Sequence, residues 1–217
     1  MGRGYSTKTI IKALDLIDIL KDKHISGVTE LGKELGLNKN NVFRILVTLQ
    51  KKELVQKEGK EYKLGIGFLK LEHSYIRNLK FPEIARPYMK ELRNKTGETV
   101  YLSILHEDKV VYIVSIESKK SVVVHSRIAK RYSSETTASG KILKSKLTDF
   151  KTAYDFSDTE EEVSEIAVPI FNKDGEIISA LSIVAPEPRL NKNNKEKFEK
   201  ELISIAKKIT DEIKEKI

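Results

Sequence analysis

The spacing of hydrophobic residues over residues 27–54 predicts two helices joined by a tight turn. In the first helix, Leu31 and Leu35 stand four positions apart and therefore share one face. Thr29 occupies a position from which its side chain could cap this helix. Gly36 follows where a helix commonly ends in a left-handed residue. The stretch therefore has the pattern of a helix-turn-helix.

The second helix of this pair has one apolar and one polar face, and Asn38 is its candidate cap. Helical spacing aligns four apolar residues on the inner face: Val42, Ile45, Leu46 and Leu49. The outer face carries Lys39, Asn40, Asn41, Phe43, Arg44 and Thr48. Asn can bond adenine in two places and Arg can do the same to guanine, so this face suits the major groove of DNA. The alternative is a helical hairpin with a solvated polar face.

Individual roles on this face follow from side-chain chemistry. Arg44, Asn40 and Asn41 are predicted to read bases, because their side chains can make paired hydrogen bonds to base edges. Lys39 is predicted to hold a phosphate as a point charge.

The flanking segments complete a winged helix. The apolar spacing predicts a helix over residues 6–22, which supplies the third helix of the core. Residues 54–57 and 61–64 read as two short strands around a turn at Gly59, which makes a hairpin. Lysines on this wing could hold phosphates, or could only keep an exposed tip solvated; they are Lys57, Lys60 and Lys63.

Two more helices are predicted before the chain changes character. Residues 65–78 look helical, with an apolar side that could pair with a second subunit or pack on the wing. Pro82 stands in the first turn of the next helix, where proline is tolerated, and Gly97 ends that helix. The first of the two reads as a linker helix because it is too short to form a domain.

The second half of the chain is rich in β-branched residues and predicts a sheet with flanking helices. The predicted strands are 99–106, 110–116, 121–125, 166–171 and 176–184. A helix is predicted to begin near residue 138, and a last one from about Asn193. An antiparallel meander with helices beside it is typical of an α+β domain.

Composition and charge narrow the classes of function. The chain has no Cys, which excludes disulfides, a thiolate zinc site and a Cys nucleophile. It has no apolar run long enough to span a bilayer, so we expect no membrane association and a cytoplasmic location. Residues 1–65 hold 13 Lys and Arg against 8 Asp and Glu, whereas residues 66–217 hold 27 against 24. The excess of positive charge in the shorter part favours a polyanionic partner.

The sequence offers no recognisable catalytic or metal-binding pattern. The four His residues lack metal-ligand spacing, and no Gly-x-Ser-x-Gly elbow occurs. Ser139-Gly140-Lys141 looks like the end of a phosphate-binding loop, but Glu135 replaces its first Gly and Ile142 its hydroxyl residue. We therefore predict no catalytic residue, no metal and no cofactor.

Several short motifs, taken in order, resemble the IclR family of transcriptional regulators over nearly the whole chain. In the first part they are the segment 37–44 (LNKNNVFR) and Tyr62-Lys63-Leu64-Gly65. In the second part they are segments 97–100 (GETV), 137–141 (TASGK), 167–170 (AVPI) and 180–183 (ALSI). The resemblance implies a winged helix-turn-helix over residues 1–65, a linker helix over 66–80 and a GAF-like α+β effector-binding domain over 81–217.

The resemblance also implies partners. Members bind palindromic operators in double-stranded DNA as homodimers, often paired into homotetramers, and a small ligand alters DNA binding. The ligand is often an organic acid or an aromatic catabolite.

An effector pocket is carried over residue by residue. It comprises Ala138, Ser139, Gly140, Asp155, Val163, Glu165, Ser182 and Val184. The acidic Glu165 and the short segment 145–162 leave the ligand open: it could be a carboxylate, a cation or a neutral molecule, or absent. Alternatively, Ala138, Gly140 and Ser182 serve only to pack a helix on the sheet.

The leading hypothesis is a sequence-specific DNA-binding regulator whose C-terminal domain senses a metabolite. One alternative is a metabolite-binding or enzymatic C-terminal domain with a winged helix used for protein association. Another is a regulator whose sensor domain has lost its ligand and only oligomerises.

Overall fold

The computed structural model describes residues 7–217, which divide into two compact units that meet in the sequence between Tyr75 and Ile76. The elements of the first unit are α1 (Lys8–Lys23), β1 (Ser26–Gly27), α2 (Val28–Leu35), α3 (Lys39–Lys51), β2 (Val55–Glu58), β3 (Glu61–Leu64) and most of α4 (Gly67–Leu79). Three helices and a small antiparallel sheet of order β1-β3-β2 make a winged helix.

The core of this first unit is built from the apolar stripes that the sequence predicts. Leu31 and Leu35 of α2 are buried against the inner face of α3, which carries Val42, Ile45, Leu46 and Leu49. Gly36 ends α2 at a φ of +65°, which a side chain would make unfavourable. At the start of α3, the Asn38 side chain accepts a hydrogen bond of 2.9 Å from the Asn41 N–H. These two caps fix the turn between the helices.

One expectation about local structure needs correction in this unit. Gly27, not Thr29, is the cap residue of α2, and Thr29 lies exposed in the first turn. The helix starts early because Ser26 and Gly27 pair with β3, which leaves Val28 as the first residue free to turn. This pairing makes Ser26 and Gly27 the short strand β1. The first helix is Lys8–Lys23; position 6 of its predicted range lies outside the described residues.

The second unit is a six-stranded antiparallel sheet with helices. Its elements are α5 (Phe81–Thr96), β4 (Thr99–His106), β5 (Lys109–Ile116), β6 (Arg131–Ser133), α6 (Ala138–Leu143), β7 (Ala153–Phe156), β8 (Val163–Phe171), β9 (Ile177–Pro186) and α7 (Lys195–Lys216). The strand order is β6-β5-β4-β9-β8-β7.

The two faces of this sheet have different roles, because alternate residues of each strand point to opposite sides. One face packs on α5 and α7 and forms the large core, with Val100, Ile166 and Ile183 among its buried residues. The other face lies against α6 and carries buried polar residues, including Glu165 and Ser182. The predicted effector pocket therefore falls on the face turned away from the long helices.

The strand predicted over 121–125 is wrong. Val122 and Val123 are 65% and 49% exposed and pair with no strand of the described chain. The edge strand beside β5 is β6, ten residues later, and β7 is a further strand that the sequence pattern did not reveal. Three consecutive valines favour a strand by intrinsic propensity, but propensity does not decide which segment reaches the sheet edge. Within residues 7–217 no helix is long and apolar enough to cross a membrane.

Candidate DNA-reading face and candidate effector pocket

The outward face of α3 displays every side chain that the sequence assigned to it. Lys39, Asn40, Asn41 and Arg44 are exposed, and Phe43 is 50% exposed although it is a large apolar residue. An exposed ring on a polar helix face can contact a thymine methyl group. Thr48 also lies on this face, but its hydroxyl donates a 2.9 Å hydrogen bond to the Arg44 carbonyl.

A groove of about 430 Å³ lies between α1 and this face of α3. Lys8 and Lys12 line this groove together with Asn41 and Arg44. Sequence analysis missed these two lysines, because their spacing of four only marked them as the polar side of a helix. Their charges add to the positive side of the face, where DNA phosphates would lie.

The wing lysines differ from one another in environment. Lys57 and Lys60 are exposed, and Lys60 follows the turn residue Gly59. Lys63 is half-buried and forms an ion pair with Glu58 on the neighbouring strand. Because that carboxylate already offsets its charge, Lys63 is the weakest of the three as a phosphate contact.

The second unit holds a buried polar cluster around Glu165 of β8. The Glu165 carboxylate is fully buried and accepts hydrogen bonds from Ser139 Oγ at 2.6 Å and from the Tyr112 hydroxyl at 3.0 Å. Burial of a carboxylate is unfavourable unless it is paired and hydrogen-bonded. Its cation is Arg127, whose Nη1 lies 3.4 Å from Glu165 Oε2.

Arg127 is the central residue of this cluster, and sequence analysis did not find it. It is the one buried residue of the described stretch 121–130, which otherwise is exposed or half-exposed and lacks regular structure. Its guanidinium lies 4.9 Å from the Tyr132 ring centre and 5.4 Å from that of Tyr112. The signal in the sequence was indirect: a glutamate within an apolar strand needs a buried cation somewhere.

The electrostatics of the cluster favour a charged Arg127 and neutral tyrosines. Burial alone would lower the pKa of Arg127, but Glu165 and the other negative groups around it raise that pKa above its usual value. Burial, with Glu165 next in effect, raises the pKa of Tyr112 well above its usual value. Burial and Glu160 raise the pKa of Tyr132 to about 12. Both tyrosine hydroxyls therefore keep their protons and donate to carboxylates.

Two predicted pocket residues carry buried polar atoms without a hydrogen-bond partner in the described part of the chain. One is Asp155 Oδ2, next to Glu165 across the β7–β8 pair, and the other is Ser182 Oγ, which faces Tyr101 across β4–β9. The second oxygen of Asp155 accepts from the Asp158 N–H at 2.8 Å. Burial raises the pKa of Asp155. Unpartnered buried polar atoms are uncommon and mark places where a ligand can bind.

The remaining predicted pocket residues have packing contacts. Ala138 lies in a small apolar cluster between α6 and the sheet. A side chain on Gly140 would come within 2.3 Å of the Ser134 carbonyl oxygen, so packing alone requires glycine there. Val184 is buried beside Tyr112, and Val163 packs against the same group. Packing against Ser134 thus explains the glycine at position 140 without any contact to a ligand.

A winged helix with an exposed polar helix, followed by an α+β unit that encloses a polar cluster, is an arrangement suited to a ligand-responsive transcription regulator. The family model for the IclR helix-turn-helix domain matches residues 9–59, and that for the bacterial transcriptional regulator IclR C-terminal domain matches residues 73–153 and 150–211. The chain therefore belongs to the IclR family, whose members are DNA-binding transcriptional regulators with an effector-binding C-terminal domain.

Curated relatives and solved structures agree with this assignment. The chain is 28% identical to the HTH-type transcriptional regulator KdgR of Dickeya chrysanthemi, over 96% of this chain and 80% of that protein. It is 26% identical to KdgR of Escherichia coli, over 94% of this chain and 92% of that protein. The crystal structure of Thermotoga maritima IclR superposes with a TM-score of 0.81 at 23% identity, covering 94% of this chain and 98% of that one.

A further structural neighbour was solved with a ligand. This IclR homologue from Microbacterium hydrocarbonoxydans, complexed with 4-hydroxybenzoate, has a TM-score of 0.76 at 17% identity and covers 95% of this chain and 98% of that one. At such identities the likeness establishes the fold that the two proteins share.

Proposed function

We propose that this regulator binds a palindromic operator as a homodimer, reads bases with α3 and responds to a small molecule held by its second unit. The observation that carries the proposal is the exposed face of α3, where Asn40, Asn41 and Arg44 stand beside a half-exposed Phe43. Amide and guanidinium groups at the first turns of a helix are suited to base edges in the major groove. Lys39, Lys57 and Lys60 supply charge for phosphates on either side, and Thr29 adds a hydroxyl at the start of α2.

Exposed apolar residues support a dimer. Leu14 of α1 is 56% exposed, and Leu69 and Tyr75 of α4 are 65% and 55% exposed. Apolar side chains on helices of a soluble chain favour burial against a partner, and a two-fold pair would match the two halves of a palindrome. Measurement of the molecular mass in solution distinguishes a dimer from a tetramer formed by two dimers.

The buried cluster supports binding rather than catalysis. The Glu165 carboxylate is ion-paired to Arg127 and accepts a hydrogen bond from the Ser139 hydroxyl, so it is poorly placed to take a proton from a substrate. The unpartnered oxygens of Asp155 and Ser182 remain for a ligand. 4-Hydroxybenzoate, with which a homologue of this fold was solved, is an example of the small acids that we propose as ligands. As a regulator of transcription, the protein is expected in the cytoplasm.

Selection from random duplex DNA at near-physiological salt tests this function. Enrichment of a palindrome with half-sites about one helical turn apart is the expected result. Arg44→Ala should then weaken binding to that site by about 1–3 kcal/mol and affect random DNA much less. Lys90→Ala, which removes one exposed positive charge from α5, is the matched control and should leave the selected site unaffected. Failure to retain DNA even at low salt would contradict the proposal.

A further inference from the structure

The loop that joins β7 to β8 places one carboxylate over the buried cluster. This loop spans residues 157–162, and its end residues Ser157 and Glu162 have φ values of +65° and +60°. Glu160 lies near its tip with its side chain 32% exposed, and its carboxylate contacts the guanidinium of Arg127 and the Tyr132 hydroxyl. The loop therefore closes the cluster through a single partly exposed acid.

Arg127 uses its two edges differently. Its Nη1 points inward and donates to the Tyr112 hydroxyl at 3.0 Å and towards Glu165. Its Nε and Nη2 point to Glu160, with Nε 2.9 Å from Glu160 Oε2. The Nε–Nη2 edge is the fork that normally binds both oxygens of a carboxylate. Here one oxygen, Oε2, takes both of these contacts, and Oε1 is used by Tyr132 at 3.2 Å.

We infer that Arg127 is the anion-recognition residue of the effector site and that Glu160 is an internal ligand, which the carboxylate of a small hydroxy acid replaces. This rests on the proposed sensing function of the second unit. An incoming carboxylate can place both oxygens on the fork, whereas Glu160 places one. The exchange leaves the inner pair with Glu165 intact and releases Glu160 to water.

Replacement of Glu160 is favoured over displacement of Arg127 because the arginine is held through its backbone. The Arg127 N–H donates to the Tyr101 hydroxyl at 3.3 Å, and the neighbouring Ala129 N–H donates to the Tyr112 carbonyl at 3.1 Å. Removing the guanidinium would also leave Glu165 buried without its cation, which is strongly unfavourable. A cation is therefore a poor competitor for this site, and a carboxylate is a good one.

The unpartnered atoms indicate what else the ligand carries. Asp155 Oδ2 lacks a donor in the described part of the chain, and its Cα is the direct neighbour of Glu165 across the strands. Ser182 Oγ lies on the same face and can donate or accept. A hydroxyl group on the acid would donate to Asp155 Oδ2, or would exchange a hydrogen bond with Ser182 Oγ. The ligand class is therefore a small carboxylate with a hydroxyl group.

Glycolate, the smallest hydroxy acid, is the probe for the test, with glycolamide as its uncharged counterpart and guanidinium chloride at matched low concentration as the cation. An acid of about five non-hydrogen atoms can bind with millimolar affinity without exceeding the usual limit per atom. The readout is the thermal midpoint of the full chain, with sodium chloride added to keep ionic strength equal. We expect saturable stabilisation by glycolate and none by glycolamide or guanidinium.

Glu160→Gln separates this inference from a general effect of added acid. Because it weakens the internal ligand, it should lower the apparent Kd for glycolate about tenfold. Glu161→Gln, an exposed neighbour on the same loop that loses the same charge, should leave the Kd unchanged. Arg127→Lys keeps a cation for Glu165 but lacks the fork, so it should abolish the glycolate response.

Distinct outcomes would overturn the inference. For the loop variants, they are an unchanged or raised Kd for glycolate in Glu160→Gln, or a fall in that Kd in Glu161→Gln as large as the one in Glu160→Gln. For the ligands, they are no response to glycolate in either the parent or Glu160→Gln, or stabilisation by guanidinium. If Arg127→Lys fails to fold, the comparison of the two loop variants still decides. DNA selection by the same protein is independent, so loss of the glycolate response with an enriched operator would refute this inference and leave the DNA-binding proposal standing.

Discussion

Glu98 and Arg189 meet through two parallel hydrogen bonds, from Nε to Oε1 and from Nη2 to Oε2, each 2.9 Å long. The Glu98 carboxylate is 1% exposed and also binds Lys120, while Arg189 Nη2 donates to the Val122 carbonyl. The residues of this contact are 91 positions apart in the chain. These contacts thereby tie together the junction between α5 and β4, the segment after β5 and the segment after β9.

Glu98→Ala should destabilise the protein by about 1–3 kcal/mol, because it removes the charge-assisted hydrogen bonds to a buried carboxylate, while the two partly exposed cations left behind can be solvated. The free energy of unfolding, measured with urea, checks this value. Glu117→Ala removes an exposed acid nearby and should change the same quantity by about 0.5 kcal/mol or less. Equal effects of the two substitutions would show that the Glu98 contact contributes little.

Gly140→Ala should destabilise the second unit, because the added methyl group would lie 2.3 Å from the backbone oxygen of Ser134. Backbone on both sides cannot give way easily, so an overpacking effect of about 1–3 kcal/mol is expected. Chemical denaturation monitored by tyrosine fluorescence measures it. Gly27→Ala is the control, since its methyl group would meet nothing within 4 Å and only the weak cap of α2 is changed. A loss as large as that of Gly140→Ala would contradict overpacking as the cause.

Much of the fold follows from local patterns. The stripes of α2 and α3 and the apolar side of α7 repeat at helical spacing, and their residues are buried where the spacing places them. Glu165 was assigned to the pocket by resemblance, and the structure puts it on the face of the sheet that lies against α6, beside Ser139. Such features depend on neighbours in the sequence or on a recurring motif, which a single sequence contains.

Other features depend on contacts between distant segments. Arg127 lies in a stretch of exposed residues without periodicity, and only the fold brings it to Glu165, 38 positions away. Val122 and Val123 have strong strand propensity, yet the sheet edge is taken by β6. Which segment pairs with an edge strand is decided by tertiary competition rather than by propensity.

Lys8 should contribute to DNA affinity without contributing to specificity. It lines the groove beside Asn41 and Arg44, where a phosphate rather than a base would lie. Lys8→Ala should weaken binding to the selected site and to random DNA by the same factor. It should also reduce the slope of log K against log salt by about 0.9. Titrations at several salt concentrations measure both quantities, and a loss confined to the selected site would instead assign Lys8 to base reading.

Arg127 and Glu165 should be strongly coupled in stability. Arg127→Met leaves a buried glutamate without its cation and should destabilise the protein by about 3–5 kcal/mol. Glu165→Met leaves Arg127 with Glu160 alone and should destabilise it by less. The double variant removes both charges together and should be more stable than the sum of the two effects predicts, by about 1–3 kcal/mol. Strict additivity in urea denaturation would show that the two charges do not depend on each other.

Asp155 should make stability fall as pH rises. Burial raises its pKa in the folded state, so the folded protein holds the proton more tightly than the unfolded chain does. The resulting stabilisation is complete below the ordinary aspartate pKa of about 3.9 and is lost as pH rises through the raised pKa.

Asp155→Asn cannot ionise but can still accept the Asp158 N–H through its amide oxygen. As pH rises through this window, the free energy of unfolding of the variant should therefore increase relative to that of the parent. Above the window, the difference between the two should stay constant. Thermal or urea unfolding at a series of pH values gives the difference. Because the other acids are common to both proteins, their titration cancels in the comparison. A difference that stays flat from acid to neutral pH would mean that Asp155 ionises as readily in the folded protein as in the unfolded chain.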